Sequence, residues 1–177
     1  MTTNLIPLDT RDRRIMKEIQ YIRNYKPKYK SISINYIDGN MYLDIKTEKG
    51  NGLHFDIPKD YPFIVPKLQV QTTDGSYSYK ERLCNMSSNI YYFIKNPTHH
   101  FQMNTHPNIK QESLCLCCKS ILCADNWSPV VMIYQILNEI EENNKTKQTI
   151  AYKLVLNQYC MIKNFSFDII KPILDFL

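Results

Sequence analysis

His106-Pro107-Asn108-Ile109, Leu114-Cys115-Leu116 and Trp127-Ser128-Pro129 follow one another in a short span, and their residue types point to thiol acyl chemistry. A cysteine that carries an acyl group as a thioester must be reachable by an incoming nucleophile, so it belongs on an extended loop beside the core. Cys115 has that setting, because in an extended segment Leu114 and Leu116 face the core while the sulfur between them points outward. The attacked thioester carbonyl develops negative charge in the tetrahedral intermediate, and a rigidly held amide N–H stabilises it. Asn108 is the candidate donor, with Pro107 restricting the backbone before it. His106 reads as a scaffold residue that hydrogen-bonds within the turn, not as a base.

Other uses of the same cysteines remain open. Cys115, Cys118 and Cys123, with His99, His100, His106 or Cys84 nearby, offer four ligands of the kind that hold zinc in tetrahedral array. That arrangement makes a zinc-stabilised adaptor instead of an acyl carrier. It lacks the second well-spaced Cys pair that marks such sites, and the preferred reading assigns no metal. A thioredoxin-like redox site fits less well, because no strand-to-helix context surrounds the Cys115-to-Cys118 pair. Cys84 and Cys160 read as small buried apolar residues.

The chain of 177 residues fits one domain, 1–177, with a sizeable core and no need of staples. Its 22 basic and 17 acidic residues leave a net charge of +5. This mild excess suits an acidic partner face, and no basic run interleaved with aromatics points to nucleic acid. Residues 1–14 carry Leu5, Ile6 and Leu8 but no sustained apolar run, so neither a signal peptide nor a membrane span is expected there. The expectation is a soluble cytoplasmic protein, with its six cysteines as reduced thiols.

The elements that must position the site follow from periodicity. Thr10 caps a helix to about Tyr25, with Ile15, Ile19 and Ile22 on one face and Arg11, Arg13, Arg14 and Lys17 on the other. Three alternating runs come next: Ile32-Ile34-Tyr36, Met41-Leu43-Ile45 and Leu53-Phe55-Ile57, with turns at Asp38-Gly39 and Gly50-Asn51-Gly52. Leu68 and Val70 continue the pattern after Pro66 and complete a four-stranded antiparallel meander. Residues 72–105 turn polar and aromatic around a short apolar run at Ile90–Ile94. Ser128 caps a helix with Pro129 at its first position and Val130, Ile133, Leu137 and Ile140 as its apolar stripe. A further helix over Lys147–Lys163 buries Ile150, Leu154 and Met161, and Ser166-Phe167-Asp168 opens a short last helix limited by Pro172.

Asp60-Tyr61-Pro62-Phe63-Ile64-Val65-Pro66-Lys67, then His106-Pro107-Asn108, then Leu114-Cys115-Leu116, then Trp127-Ser128-Pro129, resemble in type and order the motifs of the ubiquitin-conjugating enzyme family. The resemblance covers most of the chain and implies an α+β fold with an N-terminal helix, a four-stranded meander, an active-site loop and C-terminal helices. It makes residues 73–105 an insertion of about 30 residues, long enough to carry structure or function of its own. It implies Cys115 as the acceptor of ubiquitin or a ubiquitin-like modifier, Asn108 as oxyanion or loop-ordering residue, and His106 and Pro107 as support. Cys118-Lys119-Ser120-Ile121-Leu122 also resembles the family's Cys-x-x-Ile-Leu, which keeps Cys118 as an alternative nucleophile. The flanking leucines and the interval from His106 favour Cys115.

Implied partners are an activating enzyme facing Arg11, Arg13, Arg14 and Lys17, and a ubiquitin ligase facing Phe63, Trp127 and Pro129. A substrate lysine is the final acceptor. No cofactor is implied. The acidic residue that assists lysine attack in the family is not recognisable, which leaves Asp125, Glu112 or a partner to supply it. A conjugation fold used as a silent binding module is the remaining alternative; such members lack the acceptor cysteine.

Overall fold

The computed structural model describes residues 9–47, 50–73, 75–84 and 117–162, with the backbone alone at 30, 82, 84, 150–151 and 153–162. Two compact units make up the chain: Met1–Cys84 with Leu116–Asn138, and Asn85–Cys115 with Glu139–Leu177. Helix α1 spans Thr10–Tyr25, as the apolar spacing predicts, but its N-cap is Asp9 and not Thr10. The Asp9 carboxylate accepts the Asp12 amide at 2.8 Å, where it satisfies a free donor and meets the positive end of the helix dipole.

The basic outer face expected for α1 is reduced to Arg13 and Lys17, both exposed. Arg11 is buried, because positions 11, 15, 18 and 22 share one stripe at 3.6 residues per turn. Its guanidinium lies 3.7 Å from both Asp9 and Asp12, while its Nε and Nη1 make no hydrogen bond. Arg14 turns inward toward Glu18.

The sheet has five strands in the order β1-β2-β3-β4-β5, antiparallel throughout, so the expected count of four is one short. The strands are β1 Tyr29–Ile37, β2 Asn40–Thr47, β3 Gly52–Ile57, β4 Lys67–Thr72 and β5 Gly75–Ser78. Asp38 and Gly39, at φ 51° and 77°, form the two-residue turn between β1 and β2, whose twist suits a tight hairpin. Register aligns Ile34, Leu43, Phe55 and Leu68 in one row, and Ile32, Ile45, Leu53 and Val70 in the next. Burial alternates along β2, β3 and β4. The core also takes in Ile15, Ile19 and Ile22 of α1, with Ile133, Ile136 and Leu137. The intervening positions are polar: Asp44 pairs with His54 at 2.6 Å and accepts from Asn35 Nδ2 at 2.6 Å, while Tyr42 stacks on His54.

Strand β5 and helix α2 (Tyr79–Cys84) occupy the start of the stretch read as an insertion. The rest of it, from 85 to 105, lies outside the described residues, as does the 166–168 helix. Helix α3 (Ile133–Ile162) is a single helix of 30 residues where two were expected. No Gly or Pro interrupts it, and Thr146 satisfies its hydroxyl on the Glu142 carbonyl one turn back, at 2.9 Å. The part of α3 in the second unit buries Ile140 and exposes Tyr152. The Ile150, Leu154 and Met161 side chains lie outside the described set.

Helix α3 also starts later than Ser128-Pro129 suggests. The Val131 amide donates to the Ser128 carbonyl at 2.9 Å, so Pro129 takes the second position of a β-turn. Val130 is thereby 79% exposed and leaves the apolar stripe predicted for it. The helix itself is capped by Gln135, whose Oε1 accepts the Met132 amide at 2.8 Å, the backward half of a capping box.

Candidate functional site

The loop between β3 and β4 folds on itself before it presents anything outward. The Phe63 and Ile64 amides both donate to the Asp60 carbonyl, at 2.8 and 3.2 Å, and the Tyr61 amide donates to Pro58 at 3.1 Å. The Tyr61-Pro62 peptide is cis. Tyr61 is buried, whereas Phe63 at its other side is 74% exposed and Ile64 is exposed as well.

Trp127 joins this loop from 65 positions away. Its indole N–H donates to the Pro62 carbonyl at 2.7 Å, and its ring lies 6.1 Å from that of Tyr61. Trp127 is half-buried, so it braces the Pro-rich loop, while Pro129 and Val130 two and three residues on are exposed. Phe63, Trp127 and Pro129 thus belong to neighbouring segments, with Trp127 turned to the Tyr61-Pro62 loop.

Beneath them lies Glu18, wholly buried and absent from the sequence-based reading. The phenol of Tyr61 donates to its Oε1 at 2.7 Å, the Arg14 Nε donates to the same oxygen, and the Ile133 amide donates to Oε2 at 2.7 Å. Arg14 adds a bond of 3.1 Å from Nη2 to the Val131 carbonyl. Burial, then the charge and hydrogen bond of Glu18, raise the Tyr61 phenol far above its ordinary 10. Burial works against the Arg14 charge, but the bond to Glu18 and its charge outweigh this, and the guanidinium pKa is raised. The signal for Glu18 was available: a carboxylate on the Ile15-Ile19-Ile22 face, four residues after Arg14.

The cysteine-rich segment enters the described residues at a 3-10 turn, Cys117–Lys119, which packs against α2. Asn126 clamps it: its Nδ2 donates to the Cys118 carbonyl at 2.8 Å and the Ser120 carbonyl at 3.0 Å. Buried Ser120 in turn accepts the Leu122 amide at 3.1 Å. Cys117 is disulfide-bonded, which corrects the expectation that all six cysteines are reduced. Cys118 is a free, exposed thiol 3.8 Å from the Cys117 sulfur, and Cys123 is a free, half-buried thiol 4.0 Å from Asp125 Oδ2. Among the described residues no group of three His, Cys, Asp or Glu could hold a metal ion.

His106, Pro107, Asn108 and Cys115 lie outside the described residues, as do Glu112, His99 and His100. Among the described residues no helix is long and apolar enough to cross a membrane. No family model, curated protein or solved structure matches the chain.

Proposed function

We propose that this chain is a ubiquitin-conjugating enzyme, accepting ubiquitin or a ubiquitin-like modifier as a cysteine thioester and passing it to a lysine or a ligase. The observation that carries the reading is the bond from Trp127 to the Pro62 carbonyl. It brings two motifs of the resemblance together and leaves Phe63 and Pro129 outward, as a ligase-docking pair requires. An N-terminal helix followed by an antiparallel meander in sequential strand order supports it further.

In this reading the Cys115 thiolate attacks the thioester carbonyl carried by the activating enzyme, forming a new C–S bond as the donor thiolate leaves. A substrate amine then attacks the Cys115 thioester. Asn108 stabilises the tetrahedral oxyanion, which collapses with expulsion of the Cys115 thiolate while the amine passes its proton to Asp125, Glu112 or a carboxylate of a partner. Cys118, free and exposed, is the alternative acceptor. Arg13 and Lys17 offer the exposed charge that an acidic activating enzyme meets, and Arg14 supports the fold from inside. ATP is consumed by the activating enzyme, so the chain itself uses no cofactor. The test is incubation with activating enzyme, ubiquitin and ATP: a reductant-sensitive adduct is expected, and its absence contradicts the reading.

A further inference from the structure

Phe63-Ile64 and Pro129-Val130 are exposed tips on segments separated by 64 residues of sequence, so something must set their spacing. The hydrogen bonds close a circuit around them. Glu18 holds Tyr61; the next residue, Pro62, receives Trp127; the chain then runs through Pro129 and Val130 to Ile133, whose amide returns to Glu18. One tip follows directly on Pro62 and the other lies between Trp127 and Ile133.

We propose that Glu18 is a positioning residue for partner docking: it sets the separation and order of the two tips without touching the partner. The inference rests on the docking role proposed above. An ionised carboxylate accepts at both oxygens, and this one takes donors from three segments at once. It occupies the start of α3, where the free amide and the helix dipole both favour a negative charge. No neutral side chain of similar size accepts at both ends, since an amide presents a donor on one side. Replacing Glu18 by Gln therefore breaks the circuit at one link and lets the tips move independently.

Trp127 is the single tryptophan of the chain, so its fluorescence reports on the circuit alone. The experiment compares full-length wild type, Glu18→Gln and Tyr61→Phe by circular dichroism, time-resolved tryptophan anisotropy, thioester loading, and titration with a ubiquitin-ligase domain that binds the wild type. With helical signal retained, Trp127 should gain nanosecond motion and a red-shifted emission. Ligase-domain affinity should fall about tenfold and loading less than about twofold. A folded variant with unchanged Trp127 anisotropy, or with equal losses of loading and docking, overturns the proposal. Tyr61→Phe, which keeps the bond from Ile133 to Glu18, carries the test if Glu18→Gln does not fold. Should the wild type form no thioester, the conjugation reading fails while the Trp127 readout still decides whether Glu18 orders the tips.

Discussion

The indole nitrogen of Trp127 and the carbonyl oxygen of Pro62 meet at 2.7 Å across 65 positions of sequence, so the outward pose of Phe63 depends on a residue in another loop. Replacing Trp127 by Phe keeps the ring and removes the donor, leaving a part-buried carbonyl unsatisfied. The expected loss is about 1–3 kcal/mol, read as a lower urea midpoint with an unchanged slope.

Phe63 and Phe55 should behave as opposites. Phe55 is fully buried in the central row of the sheet, and Phe55→Ala should cost about 3–5 kcal/mol. Phe63 is exposed, and Phe63→Ala should shift stability by less than about 0.5 kcal/mol. It should nevertheless weaken ligase binding by about tenfold or more, because an aromatic anchor contributes most where it becomes buried against a partner. Parallel denaturation and binding titrations of the two variants check this.

Glu18→Ala removes the buried carboxylate of a part-buried ion pair and takes one acceptor from the Arg14 guanidinium and the partners of the Tyr61 hydroxyl and the Ile133 amide. A loss of about 3–5 kcal/mol is expected. The double variant Arg14→Met with Glu18→Leu should recover part of it, because no charge is then left unpaired. Urea unfolding of the three proteins measures the recovery.

Alkaline stability tests the burial of Tyr61. Its folded-state pKa is raised, first by burial and then by Glu18, so the unfolded chain loses the phenolic proton at a lower pH than the native one. The stabilisation is fully present below pH 10 and declines as pH rises beyond it. The difference in unfolding free energy between wild type and Tyr61→Phe should shrink above that pH. A constant difference means that the phenol is not held neutral.

Much of the first unit was legible in the sequence, for reasons particular elements make plain. Helix α1 was found to within one residue because Ile15, Ile19 and Ile22 repeat at helical spacing, and β2 to β4 because apolar residues alternate with period two. Strand β5 was not, since Gly75-Ser76-Tyr77-Ser78 has no apolar alternation and takes its place only by pairing with β4. Ser128-Pro129 has the chemistry of a helix start and also of a β-turn, and the Glu18 cap at Ile133 moves the helix to the later position. Arg11 and Arg14 were misread for a different reason: charged residues at the rim of an apolar stripe read as solvated until their carboxylate partners, here all within or at the cap of α1, are seen. At the candidate site, Phe63 and Pro129 are exposed as expected, whereas Glu18, Asn126 and Val130 emerged only from the fold.

The conjugation reading is tested most directly by loading the intact chain with ubiquitin in the presence of activating enzyme and ATP, then resolving products with and without reductant. The predicted result is an adduct of one ubiquitin, cleaved by thiol, absent in Cys115→Ala and retained in Cys118→Ala. An adduct that survives Cys115→Ala and disappears in Cys118→Ala moves the acceptor to the clamped 3-10 turn. No thiol-sensitive adduct in any of the proteins contradicts the account at its centre.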